Sequence, residues 1–339
     1  MDLSRYTRQT VLPFMGEEGQ AKLSRARVAI LGCGALGTVA AEILARAGIG
    51  TLRLIDRDVV ELSNLHRQFV YSEKDAHERN MKANVQTSYL QMVNHHVTYQ
   101  PITTDFRWNN ALSLLDEIDC VVDATDNYLA RMTLNDACLS LGIPWVYGGA
   151  LGTIGMTMNF GLKGGPCFRC LVSELPSNGI GDSCDTAGVL GSITALVASL
   201  QAAEVIKYLV APQHLRRELL EIDILHNTFR SLELPIDTEC LACQKGRRAF
   251  LSEPQYQDYS YVCGRNSISF FARHNEVIEL ATIATRLTTM GIPVTHNRFR
   301  LVATLNEKEV MLFPDGRVII NGTSDIQEAR RISDLLFSR

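Results

Sequence analysis

A chain of 339 residues is long enough to bury a sizeable core and points to two or three domains. Its 46% hydrophobic and 21% charged residues are ordinary for a soluble globular protein, and a formal net charge of -4 argues against nucleic-acid or membrane-surface binding. MDLSRYTRQT at the N-terminus has no apolar signal core, and the long apolar stretch Val189 to Ala211 is broken by Ser, Thr, Gln, Glu and Lys, so a core helix in a cytoplasmic protein is expected.

The elements follow in chain order. Residues 1–26 carry polar and basic side chains around GEEGQAKL, a short helix ahead of the main fold. RVAIL then reads as a strand, Ala35 to Ala47 as a helix and TLRLID as a second strand. A helix from Lys82 to Val93, strands at VTYQPIT and DCVVDAT, a helix near Tyr128 to Leu141 and the strand PWVYGGA continue the alternation. Such alternation implies βαβ units, hence an α/β, doubly wound, Rossmann-like and mostly parallel sheet. After Gly149 the texture turns to short β-like runs such as TIGMTMNF, then a long helix in SITALVASLQAAEVIKYLV. A main domain is expected over 27–245, a charged, aperiodic linker over 246–258, and a small α+β domain over 259–339.

Gly32, Gly34 and Gly37 form Gly-x-Gly-x-x-Gly between a strand and a helix, the context in which this motif binds phosphates. Glycine lets the backbone approach an anion, and the helix N-terminus offers free N–H groups. Asp56, ending the next strand, is placed to accept hydrogen bonds from ribose hydroxyls. Asn64, Arg67 and Gln68 follow it, and Lys82 lies fifteen residues after Arg67. Two cations near the glycines suit a triphosphate better than the pyrophosphate of NAD, although exposed Arg and Lys are also often merely solvated. Asp123 and Asp126, at a strand end, are placed where a carboxylate could hold Mg²⁺, or cap a helix instead.

Cys167 and Cys170, with Cys240 and Cys243, have the Cys-x-x-Cys form of a four-thiolate zinc site that clamps two distant segments. Cys184, alone in the loop NGIGDSCDTAG, is either a nucleophile or sulfur acceptor, or an incidental cysteine. Cys33, Cys120, Cys138 and Cys263 read as buried small residues, and His95 and His96 as surface residues.

YTRQ, GCGALG, DRDVVELSNLHRQF, ERNMKA, DATDN, the two cysteine pairs and CDTAGV together resemble the ubiquitin-activating-enzyme-like adenylyltransferases. The resemblance is to the MoeB/ThiF family that serves molybdopterin and thiazole synthesis, over residues 5–245. It implies ATP-dependent adenylation of the C-terminal glycine of a small ubiquitin-like sulfur carrier ending in Gly-Gly. It further implies that Asp56 holds the ribose of ATP, that Asn64, Arg67 and Lys82 contact phosphates, and that Asp126 coordinates Mg²⁺ or orients the phosphates. Arg8 would be lent to the ATP of a neighbouring subunit, which implies a homodimer, and Cys184 matches a mobile cysteine that carries sulfur covalently in some members. The loop before Lys82 reads HERNMK where relatives often have glycine or proline, and no rhodanese-like domain follows residue 245, so a separate protein would donate sulfur. An NAD-dependent oxidoreductase and a non-catalytic nucleotide-binding scaffold are the alternatives. The first needs a hydride-transfer site that the sequence does not show, and the second would not need the charged set.

Overall fold

The computed structural model describes residues 3–175, 188–252, 259–262, 267–271, 278–297, 300–314, 316–323 and 325–337. They form two compact units that divide after Ser252.

The first unit is built on an eight-stranded sheet. Its strands are β1 (Arg27–Leu31), β2 (Thr51–Ile55), β3 (Thr98–Ile102), β4 (Cys120–Asp123), β5 (Trp145–Leu151), β6 (Ile154–Phe160), β7 (Leu219–Asp223) and β8 (Thr228–Leu232). They lie in the order β3-β2-β1-β4-β5-β6-β7-β8. The first five in that order run parallel and the last three antiparallel. Val28, Ala29, Ile30 and Leu31 are all buried, as a central parallel strand covered on both faces requires. The order turns back between β1 and β4, and the crevice at that switch point is where such sheets bind ligands.

Helices Ala35–Ala47 and Gly191–Val210 share one core through Ala40, Ala41, Ala198 and Ala202, with Leu44 and Val205 packed among them. The second helix is long and apolar enough to cross a membrane by length and composition. It is nonetheless a core helix of this unit, because its buried Gln201 donates to the carbonyls of Asp123 at 2.7 Å and Val146 at 2.9 Å.

Two features of this unit differ from the sequence expectation. β7 and β8 carry no clear alternation, and β8 exposes four of its five residues, as an edge strand can. The expected linker begins inside the unit: Ala249 and Phe250 are buried, and the Phe250 N–H donates to Asp136 Oδ2 at 3.0 Å.

The second unit is an antiparallel sheet of β9 (Tyr259–Val262), β10 (Ser267–Phe271), β11 (Val294–His296), β12 (Leu301–Leu305), β13 (Lys308–Leu312) and β14 (Arg317–Asn321). Their order is β11-β12-β13-β14-β10-β9. Helices Leu280–Thr289 and Ile326–Phe337 supply Leu287, Ile332 and Leu336 to a core with Ile268, Leu301, Val310, Leu312, Val318 and Ile320. The α/β architecture with a small α+β unit is therefore as the element pattern implies.

Candidate nucleotide site and cysteine clamp

The glycine loop leaves β1 at Gly32, whose φ of +97° is left-handed and whose absent Cβ would lie 2.5 Å from the Ala124 carbonyl oxygen. A Cβ on Gly37 would come within 1.8 Å of the Gly32 carbonyl oxygen. Both glycines are thus demanded by the chain itself. Gly34 is different. A Cβ there would meet only Gln68 Nε2, at 3.8 Å, so nothing in the chain forbids a side chain where Gly34 opens the Ala35–Ala47 helix. Beside it the buried Gln68 Oε1 has no hydrogen-bond partner. A buried acceptor without a donor next to a side-chain-free helix N-terminus fits a polar ligand laid over the loop.

Asp56, just beyond β2, is half-buried. Its carboxylate accepts the Cys33 N–H at 2.6 Å and the Asp58 N–H at 2.6 Å, which ties it to the loop. Burial pushes its pKa up and Lys82 opposes this, leaving it at about 6. Lys82 is buried, with Nζ 3.3 Å from Asp58 Oδ2 and its own N–H donating to the Asp58 carbonyl at 2.9 Å. Burial disfavours its charge, but Asp58, Asp56 and Asp126 outweigh that cost and hold its pKa above the ordinary lysine value.

The lysine's helix, Lys82–Val93, is tied to the loop in two ways. Gln86 Nε2 donates to the Gly37 carbonyl at 3.1 Å, and the Tyr71 hydroxyl bridges the two, donating to the Cys33 carbonyl at 2.7 Å and lying 3.4 Å from the Lys82 carbonyl. Neither residue stands out in sequence, because each acts on a carbonyl 38 to 49 positions away.

Asn64 is buried in a 3₁₀ turn (Leu62–Asn64), where its Oδ1 accepts the Glu61 N–H at 3.2 Å. Arg67 is half-buried, bonded through Nη1 to the Ser63 carbonyl at 3.1 Å. Its backbone lies against the N-terminus of the long helix, since a Cβ on Gly191 would be 3.4 Å from Arg67 Cβ.

Asp123 and Asp126 separate sharply. Asp123 is fully buried, 3.0 Å from Arg131 Nε, and accepts from the Thr125 N–H at 3.0 Å and hydroxyl at 2.6 Å. Arg131 goes on to the carbonyls of Thr125 at 2.6 Å and Gly148 at 3.0 Å. Asp123 is therefore committed to the sheet edge. Asp126 is exposed, and the helix cap weighed for it is made by Asn127, whose Oδ1 accepts the Ala130 N–H at 2.8 Å. Arg8 is exposed in a turn of helix, Thr7–Thr10. Cys184 and Cys263 lie outside the described residues.

Cys167, Cys170, Cys240 and Cys243 bring their sulfurs within 4.8 Å of one another, at 3.7 Å for Cys167–Cys240 and 3.6 Å for Cys170–Cys243. A tetrahedral zinc with Zn–S bonds of about 2.3 Å separates its sulfurs by about 3.8 Å, so the four thiols suit that ion. The segments they join are far apart in sequence and adjacent in the fold. Cys33, Cys120 and Cys138 are buried, as their apolar contexts imply.

Comparison with known proteins places this geometry. The model of the ThiF family matches residues 6–242. The Sulfur carrier protein ThiS adenylyltransferase of Bacillus subtilis is 34% identical over 331 residues, covering 97% of either chain. The Sulfur carrier protein adenylyltransferase of Thermus thermophilus is 38% identical over 269 residues, 78% of this chain and 97% of that one. Among solved structures, E. coli MccB with ATP superposes with a TM-score of 0.61 at 24% identity, over 71% of this chain and 75% of that one, a likeness of fold. A match across most of the main unit, together with a relative aligned over nearly the full length, establishes that this chain belongs to the ThiF family.

Proposed function

We propose that the protein uses ATP to adenylate the C-terminal glycine carboxylate of a small ubiquitin-like sulfur carrier, releasing pyrophosphate. The observation that carries this reading is the buried Lys82, held charged among Asp58, Asp56 and Asp126, in a unit whose glycine loop leaves room at Gly34 next to the buried Gln68. The relatives named as sulfur carrier adenylyltransferases support it, and the nearly full-length ThiS adenylyltransferase match favours a ThiS-like carrier and thiazole synthesis over a molybdopterin partner.

In this reading Asp56 accepts the ribose hydroxyls, the glycine loop and helix N-terminus receive phosphate oxygens, and Asn64, Arg67, Gln68 and Lys82 line the phosphate path. A carboxylate nucleophile is already ionised at neutral pH, so attack on the α-phosphate needs no general base. It needs relief of anion–anion repulsion and neutralisation of the leaving pyrophosphate. Around Lys82 and Arg57 stand four carboxylates, Asp56, Asp58, Asp105 and Asp126, against two cations. That excess of negative charge favours recruitment of Mg²⁺ by Asp126 and a further cation, for which Arg67 and the Arg8 of a second copy are the candidates. Exposed Val11, Phe14, Leu62 and Phe69 on the same unit support such a homodimer. The cysteine cluster would hold Zn²⁺ structurally, the protein would act in the cytoplasm, and a separate donor would supply sulfur, with Cys184 as its covalent acceptor.

ATP–pyrophosphate exchange tests the reading. Exchange should appear only when a carrier ending in Gly-Gly is added, and Arg67→Ala or Asp126→Ala should lower it at least about 100-fold in a folded protein. Full exchange in either variant removes that residue's role, and NADH production without exchange would establish the oxidoreductase alternative. Cys184→Ser should retain exchange and lose sulfur transfer; undiminished transfer would make that cysteine incidental.

A further inference from the structure

The sheet order sets a direction along the crevice. The glycine loop follows β1, Asp56 follows β2, and β3 flanks β2 on the side away from β1. A nucleotide with its phosphates on the loop and its ribose on Asp56 must carry its base onward to the end of β3. Arg57 and Asp105 meet there, with Arg57 Nη1 2.9 Å from Asp105 Oδ2 and Arg57 Nε 3.7 Å from Asp58 Oδ1. The Asp105 loop is itself braced by Asn110, whose Nδ2 donates to the Asp105 carbonyl at 2.8 Å and whose Oδ1 accepts the Arg107 N–H at 2.8 Å. Asp105 holds the guanidinium at Nη1 and Asp58 draws it at Nε, so the group is anchored from two sides. The Arg57 side chain is 25% exposed, so part of it borders open space.

We propose, resting on the reading of this crevice as a nucleotide site, that Arg57 is a base-recognition residue whose guanidinium, held by Asp105, stacks on the purine ring of the nucleotide. A planar cation over an aromatic face attracts it without reading its exocyclic groups, and the larger purine offers more face than a pyrimidine. The residue therefore selects by ring size. Lysine cannot replace it, because an ammonium keeps the charge and loses the plane.

Calorimetric titration of the full-length protein with Mg-ATP and Mg-CTP, without any carrier, tests this assignment. Arg57→Ala should weaken ATP about tenfold and CTP less than about threefold, which shrinks the ATP/CTP preference. Arg57→Lys should recover little of the loss, and Asp105→Asn, which frees the guanidinium, should lose part of the preference. Equal weakening of both nucleotides, or full rescue by lysine, overturns the proposal. If Arg57→Ala does not fold, an unchanged ATP/CTP ratio in Asp105→Asn overturns it equally. Failure of pyrophosphate exchange with every carrier would sink the adenylation reading alone, leaving Arg57 to stand or fall on the binding ratio.

Discussion

At the residue scale, Asp56 is set to respond to pH near neutrality. Its pKa of about 6 lies above the ordinary aspartate value of 3.8, chiefly because it is desolvated. The folded chain therefore binds more protons there than the unfolded chain between about pH 4 and 6, and stability without ligand falls as pH rises through that window. Ribose hydroxyls that donate to this carboxylate favour its ionised form, so ATP binding should weaken as pH drops below about 6 and should release protons near that pH. Calorimetry at pH 6 in two buffers of different ionisation enthalpy will read that release; an identical heat in both would separate Asp56 from the ribose. The positions of Asp56 after a strand and of Lys82 at a helix start were legible in sequence, because each is a local property. Arg57, Asp58, Tyr71 and Gln86 were not, because each gains its meaning from a partner brought near by folding: Asp105, Lys82, and the carbonyls of Cys33 and Gly37.

At the scale of elements, the three loop glycines divide by cause. Gly37→Ala would drive a methyl into the Gly32 carbonyl, 1.8 Å away, so a loss of about 2 kcal/mol or more in unfolding free energy is expected from chemical denaturation. Gly34→Ala meets only Gln68 at 3.8 Å and should change stability by less than about 1 kcal/mol while weakening nucleotide binding. Equal effects of the two changes on stability would mean that Gly34 is kept for folding and not for a ligand. The motif itself was visible in sequence, but this division was not, since it depends on what each missing side chain would have touched. β7 and β8 escaped notice for a related reason: they lie at and beside the sheet edge, where β8 buries none of its residues fully and β7 only Leu219 and Ile222, so neither carries a clean two-residue alternation.

On the whole-molecule scale, the cysteine cluster brings the chain after β6 against the chain after β8, packed with Leu139 of the helix Tyr128–Leu141. Metal analysis should find about one zinc per chain, and Cys170→Ser or Cys243→Ser should lose it with about 4 kcal/mol or more of stability. A stable chain without metal would make the cluster four incidental thiols. The sequence by itself determined the strand and helix alternation through β6 and the long helix after it, the glycine loop and the paired cysteines, because periodicity, turn chemistry and ligand spacing are written within short windows. Tertiary structure alone decided that Asp123 serves Arg131 while Asp126 stays exposed, that Asp58 neutralises Lys82, and that Arg57 meets Asp105 past the end of β3. Those outcomes depend on which strand ends lie side by side, and burial then sets which charges must be paired.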